Sequence, residues 1–300
     1  MMRRRSILLA AGLPLLMVSA TASAQHGDPL EASSPWNIDY ADDFCRLQRL
    51  FGTGDAQVRL MIDRFAPSED FGLNLVGKPF VSNVDIGTAS IRFGSGLPEQ
   101  KLRFYGGDLG KNPAWVFISS VRIRPPAEPA AKEEPAEGGG YQPVSFSEAD
   151  EASVTAIYID KPLKKPIMLQ TGSMKGAFAA LRKCTDELLE HWGVDPDRIR
   201  EVVTWAKPTT RPGYWLRNED YPAAMLAKGM PGLVQFRLVI GEDGMVSSCH
   251  IQQSTNPEGF NDAVCNVLKR RARFEPARDK DGRPVKTYYL NKIHFSQGYP

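Results

Sequence analysis

From residue 58 onward, apolar side chains recur at every second position. Val58, Leu60 and Ile62 form one such run, followed by Leu73 and Leu75, Ile91 and Phe93, Leu102 and Phe104, and Val116 and Ile118. Gly, Pro or Asn clusters separate the runs, so the pattern predicts antiparallel strands and hairpins with these residues turned inward. Residues 154–159 predict another strand. One segment has a different period: Met174, Phe178, Leu181, Cys184, Leu188 and Trp192 follow helical spacing. Ser173 stands at its predicted N-cap and Gly193 just past its end. Residues 36–205 are therefore expected to form a small β-rich domain braced by one long helix.

The pattern changes after Pro208-Thr-Thr-Arg-Pro212, and residues 214–300 read as a second, α+β domain. Pro222 stands at a predicted first helical position, Met225 and Leu226 supply apolar contacts, and Gly229 ends the helix. Val234, Phe236, Leu238 and Ile240 alternate with Gln235, Arg237 and Val239, and Asp243-Gly244 predicts a hairpin turn into residues 245–252. Asn256 caps the next predicted helix, with Pro257 in its first turn and Phe260, Val264, Val267 and Leu268 as its buried stripe. Residues 285–295 predict a last strand with Val285, Tyr289, Ile293 and Phe295 on one face. The expected order is helix, hairpin, helix, strand, giving a three-stranded antiparallel sheet. A Pro/Ala/Glu/Gly run at residues 125–140 interrupts the first domain; it lacks the apolar surface to order itself and is expected to loop out between two strands.

The first 24 residues read as an export leader. Arg3, Arg4 and Arg5 precede an apolar stretch at residues 7–18, and Ala22-Ser23-Ala24 is the small-residue pattern at which a signal peptidase cuts. Cleavage after Ala24 gives a periplasmic protein; retention of the stretch gives an inner-membrane anchor. The leader also explains the formal charge of +2. Its three arginines are the only charges in that segment, and the mature chain is close to neutral. From residue 215 there are 12 Lys+Arg against 9 Asp+Glu, so a basic second domain follows an acidic first one. A near-neutral chain has no global electrostatic case for nucleic acid.

Four cysteines, Cys45, Cys184, Cys249 and Cys265, include no C-x-x-C pair. In an oxidising compartment they allow three pairings. Cys45–Cys184 with Cys249–Cys265 keeps each bridge inside one domain; four buried thiols are the alternative. Chain entropy would give the short bridge about 3 kcal/mol and the long one about 5.

Catalytic patterns are sparse. Gly106-Gly-Asp-Leu-Gly-Lys111 departs from a phosphate loop, with Tyr105 where a glycine is needed and Asn112 in place of Ser/Thr. Gly94-Ser95-Gly96 lacks the frame of a nucleophile elbow. His26, His191, His250 and His294 form no metal-binding spacing, and no motif calls for a cofactor. Lys269, Arg270, Arg271 and Arg273 give one helix a basic end, which suits the helix dipole or an anionic envelope partner.

Several motifs in the second domain occur in the order found in the C-terminal domain of the TonB family of energy transducers, which this segment resembles. They are Tyr221-Pro222, Gly232-Leu233-Val234, Asp243-Gly244, Arg273-Phe274-Glu275-Pro276-Ala277, Asp281-Gly282-Arg283-Pro284-Val285 and Ile293-His294-Phe295. The resemblance implies a domain that binds the TonB-box segment of outer-membrane transporters as a strand added beside the last strand of its sheet. The implied edge is residues 285–295, with Val285 at its start and Lys286, Tyr288, Leu290 and Lys292 on the other face. The competing occupants of that edge are the first domain and a second copy of the chain.

Three readings follow. One is a periplasmic module binding an envelope protein, the second a membrane-anchored energy transducer, and the third an envelope hydrolase in the first domain targeted by the second. The cleavable leader and the 16-residue Pro/Ala/Glu/Gly run at 125–140, too short for a periplasm-spanning spacer, favour the first. Intact-mass measurement of the exported protein should give a chain starting at Gln25; a chain retaining residues 1–24 would instead support the anchored form.

Overall fold

The computed structural model describes residues 29–118, 121–125, 147–229, 232–254 and 257–295. The predicted leader and most of the 125–140 run lie outside them. The period-two runs of the first half build one sheet from β1 (Pro29–Leu30), β2 (Asn37–Tyr40), β3 (Cys45–Phe51), β4 (Val58–Arg64), β5 (Gly72–Val76), β6 (Ile86–Phe93), β7 (Gln100–Leu109) and β8 (Asn112–Phe117). Helix α1 (Glu148–Ser153) precedes β9 (Ala156–Ile159) and β10 (Ile167–Gln170). Among the described residues the first element after the 125–140 run is the unexpected helix α1, and the expected strand at residues 154–159 follows it as β9.

The spatial order is β1-β10-β9-β6-β7-β8-β5-β4-β3-β2. Ten strands make this far larger than the small assembly expected. The sheet also curls back on itself. Just after β1, Ala32 bridges Phe51 of β3, and Ser33 N–H donates to Leu50 O at 2.8 Å. That contact closes a ring from β1 round to β3, which removes most exposed edge.

Val58, Leu60, Ile62, Leu73, Leu75, Ile91, Phe93, Leu102 and Phe104 all face its core. In β8 the expected register is reversed: Trp115 and Phe117 are buried and Val116 is exposed. Trp115 stacks on Phe104 at 4.2 Å and meets Phe80 edge-on at 5.0 Å. The larger aromatic surface thereby overrides the Val116/Ile118 alternation.

The long helix α2 (Lys175–His191) packs Phe178, Leu181, Cys184, Leu188 and Leu189 into this core. It starts one residue later than Ser173 would place it. Met174 is the N-cap, its side chain fully buried, and Ser173 Oγ lies a long 3.5 Å from Lys175 N. Gly193 ends the helix with φ +69°. Cys184 is bonded to Cys45 of β3, tying helix to sheet across 139 residues.

Next come α3 (Pro196–Arg200), β11 (Val202–Thr204), β12 (Lys207–Pro208) and α4 (Ala223–Ala227). The hairpin of β13 (Gly232–Ile240) and β14 (Val246–Ser254) leads into α5 (Pro257–Arg271). Short strands β15 (Phe274–Glu275), β16 (Ala277–Asp279) and β17 (Pro284–Val285) precede the last strand, β18 (Thr287–Phe295).

The sheet order β14-β13-β18 is the predicted antiparallel one. Phe260, Val264 and Leu268 of α5 pack on it, and Cys249–Cys265 staples β14 to the helix. The predicted Asn256 cap lies outside the described residues. In α4, Pro222 is the N-cap, not the first helical residue, and Leu226 is exposed while Met225 makes the apolar contact. Ladders also cross the Pro-rich boundary. β11 pairs with β16 and β12 with β15, and Val202 and Ala206 join the second core.

The hairpin turn depends on Gly244. Its φ is +78°, and a Cβ there would sit 2.0 Å from Phe274 O, which shows how closely β15 approaches. Gly244→Ala should cost about 1–3 kcal/mol or more. In urea titration this would appear as a lower midpoint at unchanged slope.

Candidate partner-binding edge

β13 pairs with β18 in register from Gly232↔Phe295 to Ile240↔Thr287. Side chains on the two strands alternate between faces. Val234, Phe236, Leu238, Ile240, Tyr289 and Phe295 face α5. Phe260 stacks on Phe295 at 4.5 Å, and Tyr221 meets both rings edge-on.

The other face carries Gln235, Arg237, Val239, Tyr288 and Leu290, all buried. What covers them is the first domain. Val239, Tyr288 and Leu290 belong to its core cluster. Trp192 and Trp205 pack edge-on against the Tyr288 ring at 5.8 and 5.6 Å, and Tyr288 Oη donates to Pro67 O at 3.3 Å. Arg237 lies over the Trp192 ring at 4.1 Å and reaches Asp43 Oδ1 at 3.5 Å. Burial pushes its guanidinium down to about 10, against the pull of Asp43. His250 Nε2 also meets Asp43, at 2.9 Å, and Gln252 Nε2 donates to Asp43 O at 3.0 Å. Sequence reasoning did not single out Asp43; only its approach to Arg237 and His250, about 200 positions away, gives it a role.

These contacts redraw the expected edge. Val285 lies outside the last strand, paired with Ala277 in a separate small sheet and buried. Lys286 is exposed between the two strands. Tyr288 and Leu290 are covered by the first domain, and Lys292 is exposed. What stays at the margin is the main chain of β18, which ends the sheet on that side. Lys292 N–H donates to Asn291 Oδ1 at 2.8 Å. It therefore points away from β13, and the alternation of an antiparallel ladder turns the main-chain groups of Tyr288, Leu290 and Lys292 outward.

This three-stranded sheet, with its helix, has a counterpart. Residues 217–296 match the family model for the Gram-negative bacterial TonB protein C-terminal. This segment is a TonB C-terminal domain. The match opens before α4 and closes just after β18, leaving the first 216 residues outside it. No curated protein matches the chain. Domains of this family belong to the cell envelope, in transport and protein interaction. Among the described residues, no helix is long and apolar enough to cross a membrane.

Within the TonB-like domain the motif residues have structural tasks. Tyr221 wedges against Phe260 and Phe295, and Pro222 begins α4. Asp243 Oδ1 accepts Met245 N–H at 2.9 Å beside Gly244. Phe274 packs on Trp215 and Tyr289, Pro276 follows it, and Ala277 is fully buried opposite Val285. Gly282, at φ +77°, turns the chain into Pro284, which pairs with Arg278.

Asp279, not singled out from sequence, organises that turn by accepting the N–H groups of Asp281 and Arg283 at 2.9 and 3.0 Å. Burial opposes its ionisation, but these bonds and the Arg283 guanidinium outweigh it and hold the carboxyl below the usual range. Its other contact is Arg198 of α3, at 3.2 Å. The Asp-x-Asp-Gly-Arg spacing was the available signal.

The remaining candidates are dispersed. Residues 106–111 form the β7–β8 hairpin end. Arg271 is engaged by Asp220 at 2.5 Å, while Lys269 and Arg270 are exposed. Among the described residues no three His, Cys, Asp or Glu side chains could hold a metal. A cleft of about 40 Å³ in the first domain is lined by Arg64, Glu69, Arg122, Arg124, Asp150 and Glu151. Asp150 and Glu151 are already paired with Arg124 and Arg182.

Tyr288→Ala should remove the centre of the interdomain packing. The expected loss is about 3 kcal/mol or more, with weakened near-ultraviolet tryptophan signals from Trp192 and Trp205; unchanged stability would show that this seam contributes little.

Proposed function

We propose that the exported protein is a periplasmic binding module. Its TonB-like domain takes up an extended segment of an envelope partner, a TonB-dependent outer-membrane transporter being the partner class the family suggests. The observation that carries this is β18: it ends its sheet with outward main-chain groups at Tyr288, Leu290 and Lys292, while the side chains of Tyr288 and Leu290 are buried. A strand at the margin of its sheet, with the side chains of Tyr288 and Leu290 buried, favours recognition by main-chain hydrogen bonds over side-chain docking. Cleavage after Ala24 would release the chain to the periplasm, where the two disulfides are at home. In this reading the first domain is a further interaction module that also shields one face of the TonB-like sheet. In its small cleft Asp150 and Glu151 are engaged by arginines, which gives no support to a hydrolase.

The test uses the mature full-length chain and TonB-box peptides, followed by amide chemical shifts. Perturbations should concentrate at Tyr288, Leu290 and Lys292. Absence of any shift at millimolar peptide would rule out the transporter partner, and shifts confined to β14 would move the site to the opposite edge.

A further inference from the structure

An edge strand open to a partner is also open to water and to unwanted strands. On β18 one outward donor is already in use. Asn291 Oδ1 accepts the Lys292 N–H at 2.8 Å, and Asn291 Nδ2 donates to Tyr289 Oη, also at 2.8 Å. Tyr289 is fully buried among Phe236, Phe274 and Trp215. The Asn291 amide is thus held at both ends, by the core through the Tyr289 phenol and by the edge through the Lys292 amide. Asn291 lies on the α5 face of the strand, whereas Lys292 is exposed on the other. The bond therefore wraps the strand margin, where an added strand would place its carbonyl.

We propose that Asn291 occupies the partner-binding edge in cis: its side chain holds the main-chain donor of Lys292 until an incoming strand displaces it, and so sets the affinity and register of strand addition. The inference rests on the strand-addition reading for its consequence, but the cap itself is tested without a partner. An incoming carbonyl exchanges one hydrogen bond for another at Lys292, with no net gain there. At Leu290 it makes a new bond. Pairing then starts at Leu290 and reaches Lys292 last. Tyr289 acts as a positioning residue, since it fixes the amide without facing the edge.

Two measurements on the mature full-length chain decide the matter. First, amide hydrogen exchange without peptide: Asn291→Ala should speed exchange of Lys292 about tenfold or more, leave Leu290 unchanged, and Asn291→Asp should keep the protection because an acceptor remains. Equal Lys292 exchange in the wild type and Asn291→Ala overturns the cap. Second, titration with the TonB-box peptides used above: Asn291→Ala should bind roughly three- to tenfold more tightly, the worth of one released hydrogen bond. Equal affinities in the two proteins overturn the proposal, because the cap would then not compete. If Lys292 responds in exchange but neither protein binds peptide, the cap stands and the partner assignment fails. Tyr289→Phe, which keeps the packed ring and removes the hydroxyl, should raise Lys292 exchange by a smaller factor; no change there would remove the positioning role.

Discussion

Everything in the second half of this protein depends on β13 being buried on both faces. From Val234 to Ile240 each side chain is covered, although the strand sits in an antiparallel sheet, where one face commonly meets solvent. Its apolar face takes α5, as alternation requires. Its mixed face carries Gln235 and Arg237, and removing these from water is costly unless something answers them. Asp43 and the Trp192 ring answer Arg237, while the Tyr288 hydroxyl finds Pro67 O. The answers are incomplete: the Trp192 and Trp205 indole nitrogens and Arg237 Nε have no hydrogen-bond partner among the described residues. The aromatic packing around Tyr288 must offset that cost.

Covering both faces of β13 leaves the outer strands of the TonB-like sheet as its accessible part. β14 is stapled to α5 by Cys249–Cys265, and β18 bears the outward main-chain groups. The ring of the first domain, by contrast, spends its edges on itself through Ala32 and Phe51. The two halves handle the same physical liability differently, one closing its sheet and the other ending it in β14 and β18. The two halves are also joined through the loop centred on Asp279, where Arg198 reaches across.

Much of the second half was legible because its signals are local. A two-residue period, Asp-Gly at the turn, Pro257 at a helix start and a stripe at Phe260, Val264 and Leu268 each fix a nearby backbone geometry. The TonB motifs were legible for the same reason. Gly244 is required by the approach of Phe274 O, and Ala277 by a fully buried pairing with Val285. Failures came where two local signals competed. In β8 both faces were apolar, and alternation alone could not rank Val116 against Trp115. At the start of α2, a capping serine was outweighed by the burial of Met174.

By itself, the sequence determined the α+β character, the element order of the TonB-like domain, the long helix and which cysteines have reason to meet, since these follow from periods, turn chemistry and spacing along one chain. Only the tertiary structure decided that nine of the ten strands close into a ring, that Asp43 meets residues 194 and 207 positions away, and that Tyr288 and Leu290 face a domain while their main chain faces outward. Those outcomes depend on which surfaces find each other in space. A strand's period states that it has two faces, but not what will cover them.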